Sequence, residues 1–275
     1  MVSNSTLHEK TVLISGGSRG IGLAIAKRLA EDGANVVLLA KTAEPHPKLP
    51  GTVYTAAEEI REAGGKALPV VGDVREEADV QAAVDAAVQE FGGIDIVINN
   101  ASAINLEPAD QIDMKRYDLM HDINVRGTFL LTRTALPHLK KSADPRILSL
   151  SPPLNMSQKW LGAAPSYMMA KYSMSLAALG IGAQYQIPAT CLWPKTTIQT
   201  AAVQYALGGS EMYERSRTPE VYSDSAHAVL TAEPTTYAGR TMLCEDVLED
   251  AGVTDFAKYS PGIDPNELEK DIFVD

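Results

Sequence analysis

The sequence predicts an α/β fold, a doubly wound parallel sheet of about seven strands with helices on both faces. Short apolar, β-branched runs alternate with amphipathic segments along the chain, which is the pattern of repeated strand–helix–strand units. The first run, 12–14, passes through a glycine-rich turn into a segment with apolar residues at helical spacing. With 275 residues, 45% of them hydrophobic, the chain is long enough to bury one large core, so we expect a single domain over residues 1–275.

The turn after the first predicted strand is expected to bind a phosphate. Its glycines Gly16, Gly20 and Gly22 have the spacing G-x3-G-x-G, so backbone amides can approach a ligand with no side chain in the way. The helix that follows directs the positive end of its dipole to the same place. A strand, a glycine turn and a helix start form the context of a dinucleotide site, although a tight turn without a ligand can have the same glycines.

Two cations indicate which dinucleotide this site takes. The second strand, Asn35–Ala40, ends at Lys41, a position where an acidic residue selects NAD and a cation accommodates the 2′-phosphate of NADP. Arg19, inside the glycine turn, offers a second positive charge. We therefore expect NADP(H), with the alternative that both side chains are only solvated. Lys48, in the proline-containing loop that follows, is a weaker candidate for the same phosphate.

Polar residues also follow the third and fourth predicted strands. Asp73 comes shortly after strand 67–71, where its carboxylate can hydrogen-bond the adenine amino group, cap the next helix, or do both. Asn100 follows strand 94–98, where an Asn side chain can brace the neighbouring glycine turn and contact the cofactor ribose. Taken alone, the pair of asparagines at 99–100 is also typical of a simple turn.

Tyr167 and Lys171 are four residues apart on a predicted helix and therefore share one face. A nearby ammonium stabilises a phenolate, so we expect Lys171 to lower the tyrosine pKa from its ordinary value of about 10 and to suit it for proton transfer. A tyrosine and a lysine that are exposed on a helix and have no catalytic role can have the same spacing. Asn124 lies in the middle of predicted helix 117–139, where it either holds a water or is a satisfied core residue.

Together these residues resemble the short-chain dehydrogenase/reductase family, whose members have a Rossmann fold, over essentially the whole chain. The motifs that carry the resemblance are Gly16-x3-Gly20-Ile21-Gly22, Asp73, Asn99–Asn100–Ala101, Asn124 and Tyr167-x3-Lys171. The strings AKTAEPHPKLPGT, LSPPLN and LWP are similar to one subgroup of the family. Longer eukaryotic members of that subgroup carry a C-terminal sterol-carrier domain, for which this chain is expected to be too short.

The resemblance implies a reaction and a role for each residue. The reaction is hydride transfer between a nicotinamide and a carbonyl or alcohol of a lipophilic substrate of steroid, terpenoid or fatty-acyl type. Tyr167 is the implied acid/base, Lys171 lowers its pKa and holds the nicotinamide ribose, and Asn124 supports a water that leads to Lys171. The implied cofactor-binding residues are Gly16, Ser18, Arg19, Gly20, Ile21, Gly22, Lys41, Asp73, Val74, Asn100, Ala101, Tyr167, Lys171, Pro194 and Thr197.

Two positions depart from the family pattern. Members usually carry a serine thirteen residues before the tyrosine to hydrogen-bond the substrate oxygen, and that position is Leu154 here. Ser151 is the nearest hydroxyl and Asn155 the nearest amide, and we place Ser151 first as the oxyanion partner and fourth catalytic residue. Lys195 stands where a glycine usually follows the proline, which would present a side chain near the nicotinamide. The missing serine motivates an alternative, an NADPH-binding regulatory or scaffold protein with weak or no turnover.

Composition argues against several other classes of function. The formal net charge of −11 disfavours non-specific nucleic-acid binding, because phosphates would be repelled. The five histidines are scattered, so we expect no metal site. The uncharged stretch 172–194 contains Gln, Gly and Pro and is interpreted as a helix and a strand, so we expect no membrane span. Two core cysteines and no signal-peptide pattern lead us to expect a cytoplasmic protein.

Further expectations concern the C-terminal third and assembly. Residues 195–217 are expected to fold over the site as a mobile substrate lid, and 238–244 to approach the seventh strand as in a hairpin. The tail, 251–275, is expected to wrap the surface or a partner subunit. The resemblance implies a homodimer or homotetramer that assembles through the helices predicted at 117–139 and 164–182.

Overall fold

A computed structural model describes residues 6–45 and 51–275. Seven strands form one sheet in the order β3-β2-β1-β4-β5-β6-β7, and every pairing is parallel. The strands are β1 (Thr11–Ser15), β2 (Asn35–Ala40), β3 (Lys66–Val71), β4 (Ile96–Asn99), β5 (Arg146–Ser149), β6 (Ala189–Trp193) and β7 (Arg240–Leu243). The predicted fold class, a doubly wound parallel sheet, is therefore confirmed.

Ten α-helices are found in the described ranges, and seven of them form the two layers that cover the sheet. The helices are α1 (Gly20–Glu31), α2 (Val53–Glu62), α3 (Glu77–Phe91), α4 (Met114–His121), α5 (Gly127–Leu139), α6 (Gln158–Ala163), α7 (Pro165–Tyr185), α8 (Gly209–Glu214), α9 (Glu220–Thr231) and α10 (Cys244–Asp250). One apolar cluster packs one face of the sheet against α1, α2, α9 and α10, and a second packs the other face against α3, α5 and α7. No described helix has both the length and the apolar composition needed to cross a bilayer.

Strand β1 shows how the sequence divides between these two layers. All five of its residues are buried, as expected for a strand covered on both faces. Val12 and Ile14 contact the first cluster and Leu13 the second, because successive side chains of a strand point to opposite faces. The neighbours of β1 are β2 and β4, so the chain reverses its direction of winding here and leaves a crevice at the carboxyl ends of β1 and β4.

Two predicted elements differ from the structure. The long helix predicted at 117–139 starts earlier and contains a π-helical turn, Asp122–Arg126, between α4 and α5. The expected hairpin approach to the seventh strand was wrong, because β7 pairs with β6 in parallel after the crossover through α9. Parallel neighbours need such a crossover, and a short apolar run at the end of a sheet does not by itself reveal its direction.

The C-terminal third returns to the carboxyl ends of the strands. Residues 195–217, the predicted lid, contain a π-helical turn, Val203–Leu207, and helix α8. The tail has two 3-10 turns, Ala257–Tyr259 and Pro265–Glu267, and then crosses the end of β6. The tail does not lie wholly on the surface, since Phe273 is only 2% exposed.

Candidate active site

The glycine turn after β1 is closed by the side chain of Asn100. Gly16 and Gly20 have positive φ angles of 73° and 55°, a conformation that glycine adopts without strain. Asn100 Nδ2 donates to the carbonyl oxygens of Ser15 (2.8 Å) and Gly16 (3.0 Å). A β-carbon at Gly22 would lie 2.5 Å from Asn100 Nδ2 and 2.9 Å from the Gly16 oxygen. The turn therefore leaves open backbone at the start of α1, where a phosphate can bind.

Two residues that the sequence reasoning missed complete this turn. Ser15 Oγ accepts hydrogen bonds from the backbone N–H groups of Asn100 (3.2 Å) and Ala101 (3.1 Å), which fixes the loop after β4 against the end of β1. Thr200 lies close to the turn from the opposite side, with its Cγ2 3.8 Å from where a β-carbon of Gly20 would stand. A hydroxyl residue at the end of a buried strand, as Ser15 is, was the signal available for the first of them.

Arg19 and Lys41 both lie near the end of β2. Arg19 Nη2 donates to Thr42 Oγ1 (3.0 Å) and to the carbonyl oxygen of Gly51 (3.2 Å), so its guanidinium lies beside the residues that follow Lys41. Ser18, in the same turn, is buried. Lys48, the weaker candidate, lies outside the described residues.

Asp73 is held between two cations at the same edge of the sheet. Its Oδ2 lies 2.9 Å from Lys41 Nζ and 2.6 Å from Arg75 Nη2. The hydrogen bond from the Arg75 side chain holds the pKa of Asp73 well below its ordinary value. Asp73 also accepts from the Arg75 backbone amide (3.0 Å), while Val74 packs against the position of a Gly127 β-carbon. Lys41 keeps 58% of its side chain exposed and is able to reach a ligand phosphate.

Asn124 lies in the π-helical turn, and both polar atoms of its side chain are hydrogen-bonded. Its Oδ1 accepts from the Ala103 backbone amide (2.7 Å) and its Nδ2 donates to the Ala103 carbonyl oxygen (3.0 Å). The side chain is fully buried. Asn124 thus joins the junction of α4 and α5 to the loop after β4, and a π-turn at such a position frequently marks a functional site.

Tyr167 and Lys171 lie side by side on α7, and both are almost completely buried. Lys171 Nζ donates to the Leu150 carbonyl oxygen (2.7 Å), approaches Ser102 Oγ (3.5 Å) and lies 5.0 Å from the Trp193 ring centroid. The Tyr167 hydroxyl has no hydrogen-bond partner among the residues that the structure describes. One cation and one phenol are therefore held at the carboxyl ends of the central strands.

Burial dominates the protonation of both residues. It raises the pKa of Tyr167 and lowers the pKa of Lys171 to about 7, while the Asp271 carboxylate acts in the opposite direction on Lys171. The pKa of Tyr167 is therefore shifted opposite to the expected direction, because burial raises it and the nearby Asp271 carboxylate raises it further. Asp271 comes from the tail, and nothing in the local sequence predicted its position here.

Neither predicted substitute for the missing serine offers a polar group that is both accessible and unpaired. Ser151 is fully buried, and its Oγ has no hydrogen-bond partner within 6–45 and 51–275. Asn155 Nδ2 is bonded to Asp275 Oδ2 (2.8 Å) and to the Phe273 carbonyl oxygen (3.4 Å). Ser102, which the sequence reasoning did not select, is exposed and lies beside Lys171.

The segment after β6 is tied to the tail and to α10. Pro194 is buried, and the Thr197 backbone amide donates to the Glu269 carbonyl oxygen (2.9 Å) while its Oγ1 is paired with Ser216 Oγ (2.7 Å). The Lys195 ammonium forms an ion pair with Asp246. The expectation that Lys195 presents its side chain to the nicotinamide is therefore wrong, because an acidic partner on α10 draws it away.

Asp271 gives this region a pH-dependent stability. Burial raises its pKa to about 7 from an ordinary value of 3.8, so the folded state binds this proton more tightly than the unfolded chain. The associated stability is complete below about pH 4 and is lost as the pH rises through about 7. Relative to Asp271→Asn, the free energy of unfolding of the wild type should fall by about 4 kcal/mol across that window in urea titrations.

The exposed Asp110→Asn is the matched control, since it removes the same charge outside this region. Its difference from the wild type should stay nearly constant over the same pH range. If Asp271→Asn behaves in the same way as this control, the buried tail carboxylate is not coupled to folding.

Comparisons with known proteins agree with this geometry. Residues 10–184 match the family model described as short chain dehydrogenase. The chain is similar to hydroxysteroid dehydrogenase-like protein 2 from Danio rerio, with 51% identity over 268 residues, 96% of this chain and 64% of that protein. It thus spans less than two thirds of this relative.

Two solved structures are also similar to this chain. A short chain dehydrogenase from Mycobacterium thermoresistibile superposes with a TM-score of 0.91 at 57% identity, over 98% of this chain and 96% of that one. At 25% identity and a TM-score of 0.68, NADH-dependent reductase A1-R′ complexed with NAD covers 86% of this chain and 95% of its own.

Proposed function

Because this chain belongs to the short-chain dehydrogenase/reductase family, whose members use a nicotinamide cofactor, we propose that it is an NADP(H)-dependent oxidoreductase acting on the carbonyl or alcohol group of a lipophilic small molecule. The observation that carries the proposal is the placement of Lys171, next to Tyr167 on α7, against Ser102 of the loop after β4, a loop whose Asn100 closes the glycine turn. The turn fits a dinucleotide, because a β-carbon at Gly22 would fill the space that bare backbone leaves beside Gly16.

In the proposed reaction, Tyr167 supplies the proton and the cofactor the hydride. When bound, a reduced nicotinamide would supply the hydride for the carbonyl carbon. Tyr167 donates its hydroxyl proton to the carbonyl oxygen, so that the alcohol forms and the phenolate remains. The reverse reaction begins with the phenolate taking the alcohol proton. Lys171 stabilises that phenolate through its charge and offers the ammonium hydrogens to the cofactor ribose.

Asn124 and Ser102 support this chemistry from the side of α4 and the β4 loop. Asn124 holds both backbone groups of Ala103, one residue after Ser102, whose hydroxyl lies 3.5 Å from Lys171 Nζ. A rigid loop at this point fixes where the ammonium can donate. We further propose that a water near Asn124 returns a proton to Lys171.

The adenosine end carries the proposed preference for NADP(H). Asp73 bonds the adenine amino group, with Val74 beside it and Asn100 at the ribose. Arg19 and Lys41 hold the 2′-phosphate. Lys41 would exchange its ion pair with Asp73 for that phosphate, and Arg75 would keep the carboxylate neutralised.

Lys41→Asp should weaken NADPH binding by about 100-fold and NADH binding by less than about threefold, because it removes a charge-assisted contact worth about 1.5–3 kcal/mol and adds a repulsive carboxylate. Calorimetric titration with both cofactors measures the effect. Lys66→Asp is the matched control, since it makes the same charge change at the amino end of β3. Equal weakening of NADPH and NADH would remove the phosphate assignment.

A second function, an NADPH-binding protein with weak or no turnover, is favoured by the burial of two groups proposed for catalysis. Tyr167 is 4% exposed, and the Ser151 hydroxyl is fully buried. Wild-type protein that binds NADPH tightly but converts no member of a broad carbonyl panel would support this alternative. Turnover that disappears in Tyr167→Phe would exclude it.

Assembly into a homodimer or homotetramer is also proposed, through the outer face of α5 and α7. Phe129 on α5 and Leu176 on α7 are 51% and 57% exposed, large values for apolar side chains. Met169 on α7 is exposed on the same two-helix layer. Large exposed apolar side chains on two packed helices favour an interface between copies of the chain.

A further inference from the structure

The last six residues, 270–275, form a segment that we call the C-terminal strap. It is fastened at its start to the end of β6. Lys270 forms an antiparallel bridge with Thr196, and the Asp271 backbone amide donates to the Lys195 carbonyl oxygen (3.0 Å). Trp193 Nε1 then donates to the Ile272 carbonyl oxygen (2.9 Å).

The far end of the C-terminal strap is held by a second set of polar contacts. Trp160 Nε1 donates to Asp275 Oδ1 (2.9 Å), and Asn155 Nδ2 donates to Asp275 Oδ2 (2.8 Å). The chain contains two tryptophans, and both of them hydrogen-bond the strap. Tryptophan fluorescence therefore reports on this segment.

Between these anchors the ring of Phe273 lies in an aromatic cage. Its centroid is 5.2 Å from Tyr172, 5.9 Å from Trp160, 6.2 Å from Tyr167 and 6.3 Å from Trp193. The Phe273 backbone has a φ of 69°, in the left-handed region, which is costly for a bulky side chain unless surrounding contacts hold it. The docked ring is thus held by the cage against local strain.

Docking of this ring closes the approach to Tyr167. The two rings are nearly parallel, with an interplanar angle of 22°, and Tyr167 is 4% exposed. A substrate carbonyl must come within about 3 Å of the phenol oxygen to receive its proton. One cavity of about 400 Å³ lies beside His121 and Phe129, and another of about 720 Å³ lies beside Arg215. Neither of these two cavities borders Tyr167.

We propose that Phe273 occupies the place of the substrate's ring, so that the C-terminal strap must lift before a cyclic or aromatic ketone can bind. This rests on the proposed function and narrows its substrate class. The cage walls are four aromatic rings, one stacked on the bound ring and three tilted or edge-on to it, and both arrangements favour another ring over a flexible chain. The strap and the substrate then compete, and the apparent affinity falls with the fraction of molecules whose strap is open.

Kinetics with tetralone and with an open-chain ketone of equal carbon number test the competition. Phe273→Ala should lower the KM for tetralone by about tenfold with kcat nearly unchanged, because the open fraction rises. Leu268→Ala, on the tail but outside the cage, is the control and should leave KM unchanged. A KM that rises in Phe273→Ala would overturn the proposal, since Phe273 would then be a wall that the substrate packs on.

Two readouts that need no turnover separate this proposal from the proposed function. Acrylamide quenching of tryptophan fluorescence should increase in Phe273→Ala and not in Leu268→Ala. Tetralone added to NADPH-loaded wild type should speed hydrogen exchange over residues 270–275. If tetralone speeds this exchange and no ketone is reduced, the proposed oxidoreductase function is wrong and the strap proposal is supported. If ketones are reduced while exchange slows or stays constant, the strap proposal fails alone.

Discussion

Tyr167→Phe is expected to reduce the kcat/KM for carbonyl reduction by about 1000-fold, which lies within the range for loss of a general acid. The change deletes one oxygen and keeps the ring that packs on Phe273. That oxygen has no hydrogen-bond partner among the described residues, so folding should lose little by its removal. NADPH affinity should change by less than about threefold, because most of the proposed cofactor contacts lie elsewhere. Steady-state kinetics and NADPH titration measure the two effects.

Tyr172→Phe is the matched control for this experiment. Tyr172 lies on the same helix and contacts the same Phe273 ring, but its hydroxyl donates to the Asn155 carbonyl oxygen (2.7 Å). Its loss should cost about 1 kcal/mol of stability and leave the chemical step within a few-fold. Comparable activity in the two variants would show that Tyr167 is not the proton donor.

Gly22→Ala is expected to weaken NADPH binding by about 100-fold, equivalent to about 2.7 kcal/mol. The added β-carbon would meet Asn100 Nδ2 at 2.5 Å and the Gly16 carbonyl oxygen at 2.9 Å. Asn100 would have to give up its bonds to Ser15 and Gly16, and the turn would have to open. Fluorescence titration with NADPH measures the loss, and circular dichroism checks that the fold persists.

Gly93→Ala serves as the comparison, because a β-carbon there meets no atom within 4 Å. Its effect on stability should stay within about 0.5 kcal/mol, and NADPH affinity should not change. If Gly22→Ala binds NADPH as tightly as Gly93→Ala does, the glycine turn is not the phosphate site.

The parts of the molecule that local sequence patterns determine were predictable. The glycine turn, the buried strand before it and Asn100 after β4 obey short-range rules of strand burial and positive φ, and the fold class follows from their alternation with helices. Tyr167 and Lys171 share a helix face because they are four residues apart, so their proximity was predictable too.

The surroundings of Tyr167 could not be predicted in the same way. Phe273 and Asp271 reach it across about a hundred residues of chain, and no periodicity connects such distant segments. Their arrival buries Tyr167 and reverses the expected direction of its pKa shift. The π-helical turn at Asn124 was not predicted either, because one extra residue in a helical turn does not visibly change the spacing of hydrophobic residues.

Transfer of deuterium from NADPH labelled at its hydride-donating carbon tests the central claim most directly. Purified protein is incubated with the labelled cofactor and a panel of cyclic and open-chain ketones, and the products are analysed by mass spectrometry. Alcohols carrying one deuterium at the former carbonyl carbon, formed by the wild type and Tyr172→Phe but not by Tyr167→Phe, are the predicted result. Tight NADPH binding with no labelled alcohol from any ketone, or equal labelling by Tyr167→Phe, would contradict the account.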